Sequence, residues 1–210
     1  MQAKRTISFV VILLCIQQVL LAQTLKNKIQ KSLVEIGETF PSIPTDRLLH
    51  LDQVAFSIFK NLNDTTKIKV LLIDNDQEIG QLAMLWLKTG MLYYGHSTLL
   101  DIQSAGASTE PYSPLPLSSL REYGFNIKSV GGEKNSSHKI TYGSGSWIIY
   151  PKSLVDLKTN NDDVFKVYVE KIPGNHTGKN KVELIFEHTA DIPREMLYIT
   201  TRLNNLIQTK

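Results

Sequence analysis

Cysteine is almost absent from this chain, since Cys15 is the only one among 210 residues. Cys15 lies in an N-terminal apolar segment, so everything after that segment has no thiol and cannot form a disulfide. This absence excludes nucleophilic catalysis by a thiolate and metal sites built from cysteine for the rest of the chain. Any chemistry there must come from other side chains.

Long runs of one charge are also missing. The chain has 23 basic and 20 acidic residues, which give a formal net charge of +3. This balance does not indicate a nucleic-acid-binding surface. The five histidines show no ligand spacing such as His-x-x-x-His, so the sequence predicts no metal site and no cofactor.

The first 22 residues have the organisation of a secretory signal peptide. Lys4 and Arg5 form a basic start, Ile7–Ile16 form a short apolar core, and Ala22 supplies the small residue before the cleavage point. The apolar run is too short for a good membrane span. We therefore expect a secreted or periplasmic mature chain with no membrane attachment after cleavage.

A lipoprotein anchor at Cys15 is the alternative, but Leu14 stands where such a signal has a small residue. Cleavage after Ala22 instead removes Cys15 and leaves 21 basic residues against 20 acidic ones, a net charge of +1.

Residues 23–66 are predicted to be mainly helical. Apolar residues recur at steps of three and four from Leu25 to Ile36, and again between Leu48 and Leu62. Gly37, Pro41 and Pro44 separate the two stretches. We expect an N-terminal helical extension over residues 23–66 that packs on a domain formed by residues 67–210.

Strand and helix patterns alternate through residues 67–210. The predicted strands are residues 67–73, 98–104, 125–130, 138–142, 147–150, 164–169 and 182–186, and the predicted helices are 79–94, 113–123 and 194–207. The alternation predicts a three-layer α/β fold, with a mainly parallel central sheet covered by helices on both faces.

The junction between the first strand and the first helix of this domain is acidic. The sequence from Val70 to Trp86 reads VLLIDNDQEIGQLAMLW, an apolar strand, a short loop and an amphipathic helix. In α/β proteins such a loop commonly binds a phosphate at the helix N-terminus. Here the loop carries Asp74, Asp76 and Glu78 and no basic residue. These three carboxylates are the candidate ligand-binding residues.

Several short motifs together resemble low-molecular-weight protein tyrosine phosphatases and the similar thioredoxin-coupled arsenate reductases. The resemblance runs from about Ile68 to Ile127. Its motifs are Ser104-Ala105-Gly106, Thr109-Glu110-Pro111, Ser113-Pro114 and the helix end Leu120-Arg121-Glu122-Tyr123-Gly124-Phe125-Asn126-Ile127, with Ala107-Ser108 as a two-residue insertion. The resemblance implies the phosphotyrosine phosphatase I-like fold.

The same resemblance implies that the catalytic residues have been lost. The nucleophilic cysteine of the family falls on Ile73, its phosphate-binding arginine on Ile79, and the following serine or threonine on Gly80. Covalent attack needs an activated nucleophile, and an oxyanion transition state needs a bidentate clamp. The region of the general acid, Lys171–Asn175, contains no aspartate. We therefore expect an inactive family member.

The acidic loop leaves two further alternatives open. Asp74-Asn75-Asp76 also resembles the motif of Mg²⁺-dependent phosphatases in which a carboxylate attacks phosphorus, although Glu78 stands where threonine or valine is usual. A cation-binding module is the third possibility, and helix capping by the carboxylates is the simplest explanation. Our leading expectation is a binding or scaffolding role towards an unknown protein or small ligand of the cell envelope.

Overall fold

A computed structural model of the chain describes residues 33–62, 67–75, 78–106, 121, 125–130, 137–142, 145–149 and 164–210. The predicted signal peptide, residues 1–22, lies outside this part of the chain, so both cleavage and export stay predictions. None of the helices in the described part is long and apolar enough to cross a membrane.

Seven strands and three long helices make up the described fold. The strands are β1 (Ile68–Asp74), β2 (Leu100–Gly106), β3 (Asn126–Val130), β4 (Ser137–Tyr142), β5 (Gly145–Ile149), β6 (Val164–Tyr168) and β7 (Lys181–Glu183). The helices are α1 (Thr45–Lys60), α2 (Glu78–Tyr93) and α3 (Ile192–Gln208), with short 3₁₀ turns at Phe40–Ser42 and Thr189–Asp191.

The central sheet is fully parallel and has the strand order β2-β1-β6-β7. β1 lies between two neighbours, and Ile73 near its end is aligned with Ala105 on β2 and with Tyr168 on β6. β1 is almost continuously buried, as expected for an inner strand of a parallel sheet. The sheet and the helices that flank it confirm the predicted α/β class.

The three long helices share one large core with one face of the sheet, which we call the helix face. Alternate residues of β1 (Ile68, Val70 and Leu72) belong to this core together with buried residues of all three helices. Helices α2 and α3 pack closely at Gly90 of α2, where an added Cβ would lie within 3 Å of the Thr200 side chain of α3. Glycine is therefore required for α2 and α3 to approach this closely.

Polar contacts connect α1 to α3 and to the segment that contains β7. Arg47 Nε donates to both carboxylate oxygens of Glu195 at 3.0 and 3.1 Å, and the Arg47 guanidinium also donates to the carbonyl of Ile185. The ring Nε2 of His50 lies 2.9 Å from the carbonyl oxygen of Glu183. Residues 33–37 are helical as expected. The division into an extension and a domain at residue 66 stays a prediction.

The opposite face of the sheet, the second face, carries a smaller apolar cluster. It consists of Leu71, Ile73, Ala105 and Tyr168, with Val164 and Ile172 packed against it. The helix predicted for residues 113–123, which we expected on one of the faces, lies almost wholly outside the described residues. The described long helices all belong to the core of the helix face.

One strand was assigned to the wrong sheet. The third predicted strand, 125–130, was expected in the parallel sheet, but β3 pairs with β4 in a separate antiparallel sheet of order β3-β4-β5. The place next to β1 is taken by β6. The physical reason is composition: β6 and β1 are richer in apolar residues, whereas Asn126, Lys128 and Ser129 suit a sheet with a solvated side. The strand predicted at residues 138–142 is confirmed as β4, which pairs with β3 on one side and β5 on the other.

Candidate functional site

The candidate site lies where β1 ends and α2 begins. Asp74 is the last residue of β1, and its side chain is fully buried, with 0% of its surface exposed. By the alternation along a strand, Asp74 lies on the same side as Leu72 and Val70, which is the helix face. A carboxylate there sits directly beneath the first turn of α2.

The Asp74 carboxylate binds the start of α2. The backbone N–H of Gly80 donates to Asp74 Oδ2 at 2.8 Å. The first N–H groups of a helix have no partner within the helix, and they favour a negative charge. A Cβ on Gly80 would lie 3.1 Å from Asp74 Oδ1, so the glycine lets the carboxylate come close. Asp74 thus supplies the anion that this helix end attracts.

A second carboxylate reaches the same loop from another strand. Glu170 follows β6 by two residues, and its Oε2 accepts the backbone N–H of Asn75 at 2.8 Å. Glu170 is half-buried. The sequence analysis did not find this residue because it lies far from the loop along the chain. The sequence signal that could have identified Glu170 is its position just after the apolar strand β6, because the carboxyl ends of adjacent parallel strands lie at the same edge of the sheet.

Ile73 and Ile79, which the sequence resemblance aligns with a nucleophile and an arginine, belong to different apolar groups. Ile73 is fully buried in the cluster of the second face, aligned with Ala105 and Tyr168. Ile79 is half-buried and packs against the core of the helix face. Their side chains contribute packing and have neither a nucleophilic atom nor a positive charge.

Of the three candidate carboxylates, the structure describes two. Asp74 and Gly80 are brought together, and Glu78 is half-buried at the first turn of α2. Asp76 lies outside the described residues. Within the described ranges, no three histidine, aspartate or glutamate side chains are grouped closely enough to hold a metal ion. Ligand binding by Asp74, Asp76 and Glu78 stays a prediction.

The loop after β6 contains Lys171–Asn175, the segment in which the sequence resemblance predicts a general acid. His176 stacks on Tyr168, with ring centroids 3.9 Å apart and planes 26° apart. His176 Nε2 lies 2.9 Å from the carbonyl oxygen of Ile172, and Gly174 has a φ of 130°. Burial raises the pKa of the Tyr168 phenol above its usual value. These contacts hold the loop against the second face.

The electrostatics of the site oppose an incoming oxyanion. Two unit charges about 5 Å apart interact by about 3 kcal/mol at an effective dielectric constant of about 20. Asp74 and Glu170 each place a carboxylate on an N–H group of the loop. A phosphate or arsenate dianion would have to displace these groups and overcome their repulsion. The arrangement can cap a helix and hold a loop, and it disfavours binding of an oxyanion.

Comparison with known proteins finds little that is similar. The chain matches no protein-family profile. It has no significant match among curated proteins. Among solved structures, the thioredoxin-dependent arsenate reductase Cg_ArsC1' of Corynebacterium glutamicum is similar to this chain, with 22% sequence identity and a TM-score of 0.38. The match covers 90% of this chain and 88% of the reductase chain.

Proposed function

We propose that this chain is a catalytically inactive, exported relative of low-molecular-weight phosphatases and arsenate reductases, with a binding or scaffolding role. The observation that carries the proposal is the pair of hydrogen bonds from loop N–H groups to internal carboxylates, Gly80 to Asp74 and Asn75 to Glu170. In a phosphate-binding loop, such N–H groups point at the ligand. Here they are already engaged.

The replacement of the reactive residues supports the same conclusion. Ile73 stands at the position of the nucleophile and is fully buried among apolar side chains. Ile79 stands at the position of the arginine that would clamp the oxyanion. Loss of the nucleophile alone abolishes a covalent mechanism, and loss of the clamp removes transition-state stabilisation.

A Mg²⁺-dependent phosphatase that uses Asp74 as its nucleophile is the second candidate. It requires a carboxylate that can reach phosphorus and a metal ion. Asp74 is instead buried and accepts a hydrogen bond from Gly80, which argues against that role. The sequence motif Asp74-Asn75-Asp76 is the feature that favours it.

The export half of the proposal rests on the sequence of residues 1–22. A basic start, an apolar core and Ala22 before the cleavage point support it. Amino-terminal sequencing of the chain recovered from its native source tests this part directly. We expect a mature amino terminus at Gln23, and an uncleaved Met1 in the soluble cell interior would contradict export.

Turnover assays on the chain from Gln23 onward test the catalytic half. We expect no arsenate reduction with thioredoxin and its reductase, and no hydrolysis of p-nitrophenyl phosphate with or without Mg²⁺. The matched control is Asp74→Asn, which keeps the size of the side chain. Hydrolysis that requires Mg²⁺ and disappears in Asp74→Asn would establish the second candidate, and arsenate reduction would overturn the proposal.

A further inference from the structure

The loop between β6 and β7 contains Asn175-His176-Thr177, which has the pattern Asn-x-Ser/Thr of an acceptor for N-linked glycosylation. The same pattern occurs at Asn63 and Asn135, and both asparagines lie outside the described residues. The pattern is short and arises by chance in many chains. The geometry at Asn175 therefore decides whether this copy is suited to carry a glycan.

The middle residue of the pattern holds the loop against the protein. The His176 ring stacks on the Tyr168 ring, with centroids 3.9 Å apart. His176 Nε2 lies 2.9 Å from the carbonyl oxygen of Ile172. His176 is half-buried, whereas Asn175 and Thr177 on either side of it are exposed. The two side chains that glycosylation requires therefore both lie on the outside of the loop.

The backbone around Asn175 is fixed by further contacts. Lys181 Nζ donates to the carbonyl oxygen of Asn175 at 3.0 Å. Gly174 has a φ of 130°, and a Cβ there would lie 3.0 Å from His176 Cε1, so the chain can turn at this point only with glycine. The N–H of Gly178 donates to the carbonyl oxygen of Lys181 at 3.1 Å. These contacts present Asn175 in one defined conformation.

The side chains of Asn175 and Thr177 are joined in a local turn. The backbone N–H and the hydroxyl of Thr177 both donate to Asn175 Oδ1, each at 3.1 Å. A backbone N–H can only donate, so the oxygen of the Asn175 amide must face Thr177. The amide nitrogen Nδ2 consequently points away from Thr177, and it makes no hydrogen bond with a described residue. A sugar attached to Nδ2 would break none of these contacts.

We propose that Asn175 carries an N-linked glycan. The donor is a sugar activated as a lipid-linked diphosphate. A bond forms between Asn175 Nδ2 and C1 of the sugar, and the bond between C1 and the phosphate oxygen breaks. Nδ2 releases one proton, and the diphosphate leaves with the electron pair. The inference rests on the export half of the proposed function, because such glycans are found on surface loops of secreted proteins.

The test is the mass of one tryptic peptide from the chain recovered from its native source. Trypsin cleaves after Lys171 and Lys179, and the peptide 172–179 between them contains the pattern at Asn175 and neither of the other two. We expect this peptide to carry a glycan, and we expect enzymatic removal of the glycan to convert Asn175 into aspartate. Amino-terminal sequencing of the same material reports export. An unmodified peptide behind an amino terminus at Gln23 would overturn the glycosylation proposal alone, whereas an uncleaved Met1 would overturn export as well.

Matched variants expressed in the same source test the assignment to this pattern. Thr177→Val keeps the branched shape of the side chain and removes the hydroxyl, so we expect the glycan to be lost. Thr177→Ser keeps a hydroxyl, so the glycan should remain. Asn175→Gln keeps an amide but breaks the pattern and should be unmodified. A glycan that persists in Thr177→Val, or that is lost in Thr177→Ser, would overturn the proposal.

Discussion

The two faces of the parallel sheet differ in how many of the described apolar residues pack on them. On the helix face, alternate residues of β1 join a core that α1, α2 and α3 all share. On the second face, four buried residues form a small cluster near the carboxyl ends of the strands, and charged residues of both signs, such as Lys69, Asp101 and Lys166, lie outside it. Most of the buried apolar residues in the described part of the chain therefore lie on one side of the sheet.

The comparison indicates which side of the sheet supplies most of the folding free energy. Burial of apolar surface is the main source of folding free energy, and the helix face contains most of it. Asp74 belongs to this side and serves the start of α2. The second face has fewer buried apolar residues in the described part of the chain, and it carries charged side chains of both signs, such as Lys69 and Asp101. If this division is right, substitutions on the two faces should have different consequences.

Leu72 and Leu71 are adjacent on β1 and point to opposite faces, which makes them a matched pair. Leu72 is fully buried in the helix-face core, whereas Leu71 is 7% exposed in the smaller cluster. We expect Leu72→Ala to lower the free energy of unfolding by about 4 kcal/mol and Leu71→Ala by about 2 kcal/mol. Denaturant unfolding measures both, and a larger loss for Leu71→Ala would contradict the division between the faces.

Gly90 tests the packing of α2 on α3. In Gly90→Ala the new methyl group would meet Thr200, so the helices must separate, and we expect a loss of about 2 kcal/mol. Gly37 is the control because nothing lies within 4 Å of a Cβ at that position. Alanine favours a helix, so Gly37→Ala should leave stability unchanged or raise it by up to about 1 kcal/mol. Similar losses of stability in both variants would show that close packing of α2 on α3 is not the reason why Gly90→Ala is destabilised.

The carboxylates of the loop should contribute less than the core. Asp74→Ala removes the acceptor for Gly80, and we expect a loss of about 1–2 kcal/mol in the free energy of unfolding. Asp74→Asn keeps an oxygen acceptor, so its loss should be smaller. Glu170→Gln, at the half-buried contact with Asn75, should cost about 0.5 kcal/mol. Thermal or denaturant unfolding ranks the stability of the three variants. An Asp74→Ala variant with the same free energy of unfolding as the unaltered chain would contradict the capping role.

The smallest expected effect concerns Tyr168 on the second face at alkaline pH. Burial raises the pKa of its phenol in the folded chain, so the unfolded chain loses this proton first as the pH rises. The stabilisation is fully present below about pH 10 and is lost as the pH rises from there through the folded-state pKa. We expect Tyr168→Phe to show a shallower decline of stability above pH 10. Identical slopes would contradict burial of Tyr168.

Local sequence patterns were sufficient for most elements of the fold. The apolar run of β1 and the period of α2 each predicted their element. Gly95, just after the predicted helix 79–94, has a positive φ of 78°, which is typical of a glycine that ends a helix. The sheet to which β3 belongs could not be predicted from its own residues. β6 takes the place beside β1. Predicting this requires a comparison of the apolar content of β3 with that of β6, which lies far along the chain.

The candidate site was predictable only in part. Asp74 was visible because it directly follows an apolar strand and precedes a helix. Its burial and its contact with Gly80 depend on how α2 packs over the sheet. Glu170 was not visible because its role arises from the adjacency of β6 and β1, which no pattern near Asn75 reveals.

The most direct test of the central claim is a titration of the ¹⁵N-labelled chain with phosphate and then arsenate, followed at the amides of Gly80 and Asn75. The claim is that these N–H groups are held by Asp74 and Glu170 and are closed to an oxyanion. We predict that neither amide signal moves beyond the shift seen with chloride at equal ionic strength. A saturable shift of the Gly80 amide would contradict the account.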